Sequence, residues 1–420
     1  MTRILVLLLI VMLFSSCKTI VDDSAFYMPA EFESQEAVYV GWFNNPKKDS
    51  VAAQIVSALY NSVQVRIFYS KESMKHNGNL LLSGYGVDSN KINWIKDSLR
   101  YDFPRDPGPV FLINKKGEMK IADFNWNLYG YPYVYKGFQL EKFDTLYGEI
   151  EKREAARLQI ETLSSEIVNE GGAFEVNGNG VMMAIEETAL QRNPGKSLNE
   201  IEKEYLRLTG SKKMIWLKRA VIHDRAFDGP TIENWFTGGA NGHIDEMARF
   251  VSTNSILLAQ ISDEEQTSNP ISKIDYEILE ENFKILQQAT DIDGKPFRIL
   301  RVSSPNLNVP DYFTEIIVSD EWRSDGSLNL SSFTNGDTIR ITKAVSYMNF
   351  FISNDVVLSA KYWQEGMPES EKKKDEEVKK LLEQLFPDRK IIQINPIALN
   401  RGGGGIHCAT QQQPKRKRLE

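Results

Sequence analysis

Seven short apolar runs recur along the chain: AVYVGW (37–42), VQVRIFY (63–69), VMMAI (181–185), ILLAQI (256–261), FRILRV (297–302), VVLSA (356–360) and KIIQI (390–394). Their β-branched content and short length predict strands. Between them, apolar positions return at helical spacing. SLNEIEKEYLRLTG (197–210) opens on a capping box, Ser197 with Glu200, and closes at Gly210, a helix stop. Residues 149–167 keep Ala155, Leu158, Leu163 and Ile167 near one face and predict a second helix. EEVKKLLEQLF (376–386) does the same with Val378, Leu381, Leu382 and Leu385, and the ESEKKKD run before it reads as a solvated entry. Strands alternating with helices predict an α/β fold. No Pro- or Ser-rich linker breaks the alternation, so one catalytic domain is expected.

The N-terminus follows a different pattern. A basic MTR is followed by eleven apolar residues (4–14), then Ser15, Ser16 and Cys17. Eleven residues cannot span a bilayer, which needs about 20, so the segment reads as a secretory signal. A cysteine directly after two small residues resembles a bacterial lipoprotein signal, which would leave Cys17 lipidated and the protein tethered to a membrane. The alternative is a plain signal peptide with an incidental cysteine. The expected organisation is a signal over 1–17, a tether over 18–27, a catalytic domain over 28–414 and a basic, disordered tail over 415–420. The protein would then face the periplasm or the cell surface.

Composition narrows the function classes. Fifty basic residues against 57 acidic ones give a formal charge of −7, which argues against a nucleic-acid partner and suits a cationic substrate. With Cys17 lipidated, Cys408, the other of the two cysteines, has no disulfide partner. It is either a buried small hydrophobe or a nucleophile.

Four segments combine glycine or proline turns with reactive side chains: RDPGPVFLIN (105–114), NEGGAFEVNG (169–178), TGGANGHIDEMARF (237–250) and GGGGIHCATQQQP (402–414). Together they supply Asp106, Glu170, His243, Asp245 and Cys408. A thiolate is a strong nucleophile and an imidazole can move its proton. His243 and Asp245 lie two apart and project to one side of an extended segment. Several carboxylates suit a guanidinium, which they bind through paired hydrogen bonds. The kit suggests attack on a carbon flanked by nitrogens; a protease would gain little from three acids.

In this order the four segments resemble the agmatine deiminase and bacterial peptidylarginine deiminase family, from about residue 28 to Pro414. GIHCATQQQP is the most specific stretch, and ADFNWN (122–127) and SYMNFFI (346–352) fall where the family has similar segments. The resemblance implies a pentein α/β-propeller, ββαβ-type modules around a pseudo-fivefold axis with the site at the centre. It implies Cys408 as the nucleophile on the guanidinium carbon and His243 as acid and base. Asp106 and Asp245 would grip the guanidinium, Glu170 would orient His243 or the substrate, and Asn349 would support the cysteine. Trp126 would line the substrate pocket. No cofactor or metal is implied.

Other residues compete for these roles. His407 neighbours the nucleophile but would point to the opposite side of an extended segment. His223 could line the pocket or be structural. Trp216 and Trp235 read as core or pocket wall. The stretch ADFNWNLYGYPY (122–133) lacks the arginines with which exo-acting peptidylarginine deiminases clamp a carboxylate, and it departs from the ADFRFNAWGG of agmatine-type enzymes at Asn125, Leu128 and Tyr129. Lys136 could replace the clamp. The expected substrate is a small guanidino compound such as agmatine, with arginyl peptides as the alternative. Two other classes stay open: a cysteine amidase or protease, and a lipoprotein that binds guanidino compounds without turnover.

Overall fold

The computed structural model describes residues 23–98, 102–134, 148–226, 231–325 and 328–416. The signal and lipid site at Cys17, Lys136 and the last four residues lie outside them.

One topological unit recurs five times among the described residues: two antiparallel strands, then a helix that leads into a third strand parallel to the second. β1 (Gln35–Val40) passes through the helix Pro46–Leu59 to β2 (Gln64–Tyr69), and β3 (Ile92–Lys96) extends that sheet. β4 (Val110–Ile113), β5 (Met119–Asp123) and β6 (Glu161–Ser164) form the next unit. β7 (Phe174–Val176), β8 (Val181–Ile185) and β9 (Lys213–Leu217) form the third. Between β9 and the fourth unit lies the short strand β10 (Trp235–Phe236). The fourth comprises β11 (Ala248–Ser252), β12 (Ser255–Gln260) and, after the helix Pro270–Gln288, β13 (Arg298–Ser303). An inserted sheet follows, in which β15 (Thr338–Thr342) lies between β14 (Phe313–Ile317) and β10. β16 (Phe351–Ile352), β17 (Val356–Ala360) and β18 (Lys390–Ile394) complete the fifth unit. The first unit gains its leading strand from the far end of the chain: β19 (Thr410–Pro414) pairs antiparallel with β1 and closes the ring.

The middle strands are the most apolar because both faces are covered, by helices outside and neighbouring units inside. β8 and β17 are buried along their whole length. The capping box forms as predicted: Ser197 Oγ accepts from Glu200 N, Glu200 Oε2 accepts from Ser197 N, and Gly210 takes a left-handed φ of 66° at the helix end.

Two expected helices differ. The helix predicted over 149–167 covers only Ile150–Leu158 and ends at Gln159, whose φ is 56°. Residues Glu161–Ser164 become β6 instead, pairing in parallel with β5. Ala155 and Leu158 pack in one apolar cluster, Leu163 and Ile167 in another, so the single helical face never existed. A further helix runs from Glu369 to Leu385, and the acidic and basic run at its start is only partly solvated: Glu369 and Lys373 are exposed, whereas Glu371, Lys374 and Asp375 are buried. Lys374 Nζ lies 2.7 Å from Glu265 and 2.9 Å from Glu371, while Asp375 accepts from Tyr347 Oη and the backbone N of Tyr362 and Trp363. At the C-terminus, Lys415 N still donates to Ser34 O, so the ladder extends into the segment expected to be disordered.

Candidate active site

Each unit contributes one polar turn just before its leading strand. Asp106 precedes β4, Glu170 precedes β7, His243 and Asp245 precede β11, Asn349 precedes β16, and Cys408 precedes β19. Units arranged in a ring deliver these equivalent turns to the ring's centre, although the residues are far apart in sequence. All six side chains are buried.

Local backbone requirements explain the glycines. Asp224, itself buried, accepts from the backbone N of Ala240, Gly242 and His243 at 2.8, 3.0 and 2.7 Å, so the GGANGH turn wraps a carboxylate. Gly172 leaves an opening at the centre. A Cβ there would lie 2.7 Å from His243 Nδ1, 2.9 Å from Asp106 Oδ1 and 3.0 Å from Asp245 Oδ2.

His243 is held on one side by Glu170, with Nε2 3.3 Å from Oε2. Arg192 Nε donates to both Glu170 oxygens, at 2.9 and 3.1 Å, and its Nη2 donates to the carbonyls of Ala240 and Asn241. On the other side His243 Nδ1 lies 3.6 Å from Asp106 Oδ1 and 4.0 Å from Asp245 Oδ1. Asp106 Oδ1, Asp245 Oδ1 and His243 Nδ1 have no hydrogen-bond partner within the protein. The remaining aspartate oxygens are taken: Tyr129 Oη donates to Asp106 Oδ2 at 3.0 Å, and His407 Nδ1 lies 2.6 Å from Asp245 Oδ2. Asn349 Nδ2 donates to Cys408 Sγ at 3.2 Å and to Glu246 Oε1 at 2.8 Å.

The electrostatics follow from this burial. Desolvation raises Asp106 to about 6 despite the opposing pull of His243, with repulsion from Asp245 and Glu170 added. Burial would lower His243, but Asp106, Glu170 and Asp245 outweigh it and bring it to about 9. Burial would raise Glu170, yet Arg192 and His243 hold it below its ordinary value. Asp245 is also held low: His407 and His243 overcome its burial. Burial and the acids Asp245, Asp106 and Glu246 push the Cys408 thiol well up, which favours its protonated form. Among the described residues, Asp245, Glu246 and Cys408 form the one group whose donor atoms, all within 4.8 Å, could hold a metal ion. Burial and the neighbouring acids Asp224, Asp245 and Asp106 raise Glu246 strongly.

Residues 27–414 match the family model of the Porphyromonas-type peptidyl-arginine deiminases. The chain belongs to that family. The agmatine deiminase of Medicago truncatula is 27% identical over 409 residues, covering 93% of this chain and 96% of the relative. The solved agmatine deiminase of Enterococcus faecalis superposes with a TM-score of 0.71 at 24% identity, covering 93% of this chain and 96% of the other. The C. jejuni agmatine deiminase solved with substrate bound gives 0.68 at 20%, covering 94% and 97%. The fold is the pentein propeller that the resemblance implied.

Within this deiminase fold the predicted residues Asp106, Glu170, His243, Asp245, Asn349 and Cys408 converge. Trp126 stands one ring further out, 5.7 Å from Tyr129, whose own ring is 5.7 Å from His243. Trp216 and Trp235 pack in the apolar clusters. His223 is tied to Asp275, with Nδ1 2.6 Å from Oδ2, and is structural. The expectation for His407 was wrong. Residues 406–409 form a turn instead of an extended segment, and the ring is directed between Asp245 and Glu31. Reading the sequence alone missed Arg192, Tyr129, Glu31 and Glu246. Arg192 ends an ordinary amphipathic helix and Glu31 precedes β1, and neither carries glycine punctuation. Glu246, next to Asp245, could have been found from the same GHIDE motif.

Proposed function

We propose that the enzyme converts a guanidino group to a ureido group, releasing ammonia, through a covalent intermediate on Cys408, and that its preferred substrate is a small guanidino amine such as agmatine. The observation that carries this reading is the cluster of unpartnered acceptors, Asp106 Oδ1 and Asp245 Oδ1, flanking His243 beside a buried thiol. A guanidinium supplies the N–H donors those oxygens lack. Its positive charge also offsets the acids that keep Cys408 protonated. Sulfur then bonds to the guanidinium carbon. The thiol's proton passes to solvent, the C–N bond breaks as His243 protonates the leaving nitrogen, ammonia departs, and a thiouronium remains. His243, charged in the resting site, suits the donor role; once neutral, it accepts a proton from water. That water adds to the carbon, the C–S bond breaks, the ureido product leaves and the thiol is restored.

The small-substrate reading is supported by the stretch 122–133, which has no arginine to hold a carboxylate. The family match itself favours a second reading, citrulline formation on arginyl peptides. Agmatine and a C-terminal arginyl peptide supplied at equal concentration decide between them by ureido product; preferential conversion of the peptide overturns the first. Ammonia without ureido product would indicate an amidase. Cys408→Ala should abolish product formation with the fold intact, and mass spectrometry of trapped turnover should find the adduct on Cys408. The pattern of residues 1–17 further supports export and a lipid on Cys17, facing the periplasm or cell exterior. Fatty-acid labelling that persists in Cys17→Ser would refute that anchor.

A further inference from the structure

Glu31 lies outside every motif that points to the site, yet it is among the most heavily engaged buried groups in the protein. Its Oε2 is 2.7 Å from His407 Nε2 and accepts from Arg105 Nη2 at 3.1 Å. Its Oε1 accepts from Arg249 Nη2 at 3.0 Å and from Ile352 N at 2.8 Å. The other nitrogen of His407 faces Asp245 Oδ2. Imidazole is thus clamped between two carboxylates, with no water between them.

We infer that Glu31 is a positioning residue: through His407 it keeps Asp245 ionised and fixes that carboxylate with its second oxygen turned to the substrate. Two nitrogen–oxygen gaps of 2.6 and 2.7 Å each require a proton between the atoms, and a neutral imidazole carries only one N–H. The Glu31–His407–Asp245 chain therefore stores one proton more than a neutral histidine between two carboxylates. The surroundings support that charge. Glu31, Asp245 and Glu175 face two arginines, Arg105 and Arg249, with Arg249 Nε 2.5 Å from Glu175, so three acids meet two permanent cations around the imidazole. Besides His407, the groups facing Asp245 are His243, Asp106, Glu246, Cys408, Arg249 and Arg105. Glu31 is also close to Arg389. Of these, His407 alone is within hydrogen-bonding distance of Asp245 Oδ2, apart from the Cys408 thiol at 3.8 Å. The consequence is an unequal pair of gripping acids: Asp106, raised, titrates, and Asp245 stays charged.

The inference rests on the reading that Asp245 holds the guanidinium, and its test separates the two. Glu31→Gln preserves shape and removes one clamp. Histidine-labelled ¹⁵N spectra of the full chain, with His407 assigned through His407→Asn, should show a proton on each ring nitrogen, as two contacts to carboxylate oxygens require. In Glu31→Gln the Nε2 proton should be lost. With agmatine, the acidic limb of kcat/KM should steepen from one proton to two, because Asp245 now titrates alongside Asp106, and KM should rise about tenfold. A wild-type Nε2 without its proton, or a variant limb that keeps its one-proton slope, overturns the inference. If Glu31→Gln fails to fold, His407→Asn, which leaves Glu31 on its arginines, must show the same steepening. A wild-type chain without ureido product sinks the deiminase reading, and the spectra still decide this one.

Discussion

At the residue scale the site is costly to the fold. Asp106 is raised from 3.8 to about 6, so keeping it ionised in the folded state opposes folding by on the order of 3 kcal/mol at neutral pH. The sign follows from linkage. A carboxyl with a raised folded pKa penalises stability above that pKa, and the penalty fades as pH falls through about 6 toward 3.8. Asp106→Asn should therefore raise the free energy of unfolding at neutral pH by about 1–3 kcal/mol while kcat/KM falls by at least a hundredfold, a trade expected where function needs strain. Equal loss of stability and activity would place Asp106 in the scaffold. His243 has the opposite linkage: its contribution is fully present below about 6.5 and is lost as pH rises through about 9. The free-enzyme profile of kcat/KM should accordingly be a bell, falling below about 6 as Asp106 gains a proton and above about 9 as His243 loses one. A profile flat between pH values of about 5 and 10 contradicts both assignments. At this scale the motif residues were legible because each chemistry needs a particular side chain. Their partners Arg192 and Tyr129 were not, since an arginine in a helix or a tyrosine in a loop has many uses.

At the element scale, local chemistry decided what the sequence could reveal. The helix Leu198–Thr209 carries its start and stop in its own residues, Ser197 with Glu200 and then Gly210. Its caps were therefore predictable. Ser197→Ala should cost about 1 kcal/mol and leave kcat/KM unchanged, because the helix is on the rim; a comparable fall in activity would mean that the rim transmits strain to the centre. By contrast, Glu161–Ser164 has helical spacing with its neighbours and becomes a strand only because the edge of β5 is free to pair with it. The charged start of the helix Glu369–Leu385 misleads in part. Lys374 and Asp375 are buried by partners at residues 265, 347 and 362, which no local window contains.

For the whole molecule, ring closure is the decisive event. β19 joins β1 over Gln35–Val40, and the same segment delivers Cys408 to the centre. Truncation after Ala409 should abolish cooperative unfolding and all activity, whereas truncation after Arg416 should change neither; a chain cut after Ala409 that still unfolds in one sharp transition would show that closure is dispensable. The amino-acid sequence by itself determined the α/β class, seven of the strands, and the candidate residues Asp106, Glu170, His243, Asp245 and Cys408, because these depend on side-chain type and short-range spacing. The tertiary structure alone decided that His407 lies between Asp245 and Glu31, that Asp245 is left with one unpartnered oxygen instead of two, and that Glu31 reaches the site. Those outcomes depend on contacts between residues 31, 245 and 407, and a linear pattern carries no record of distance across a closed ring.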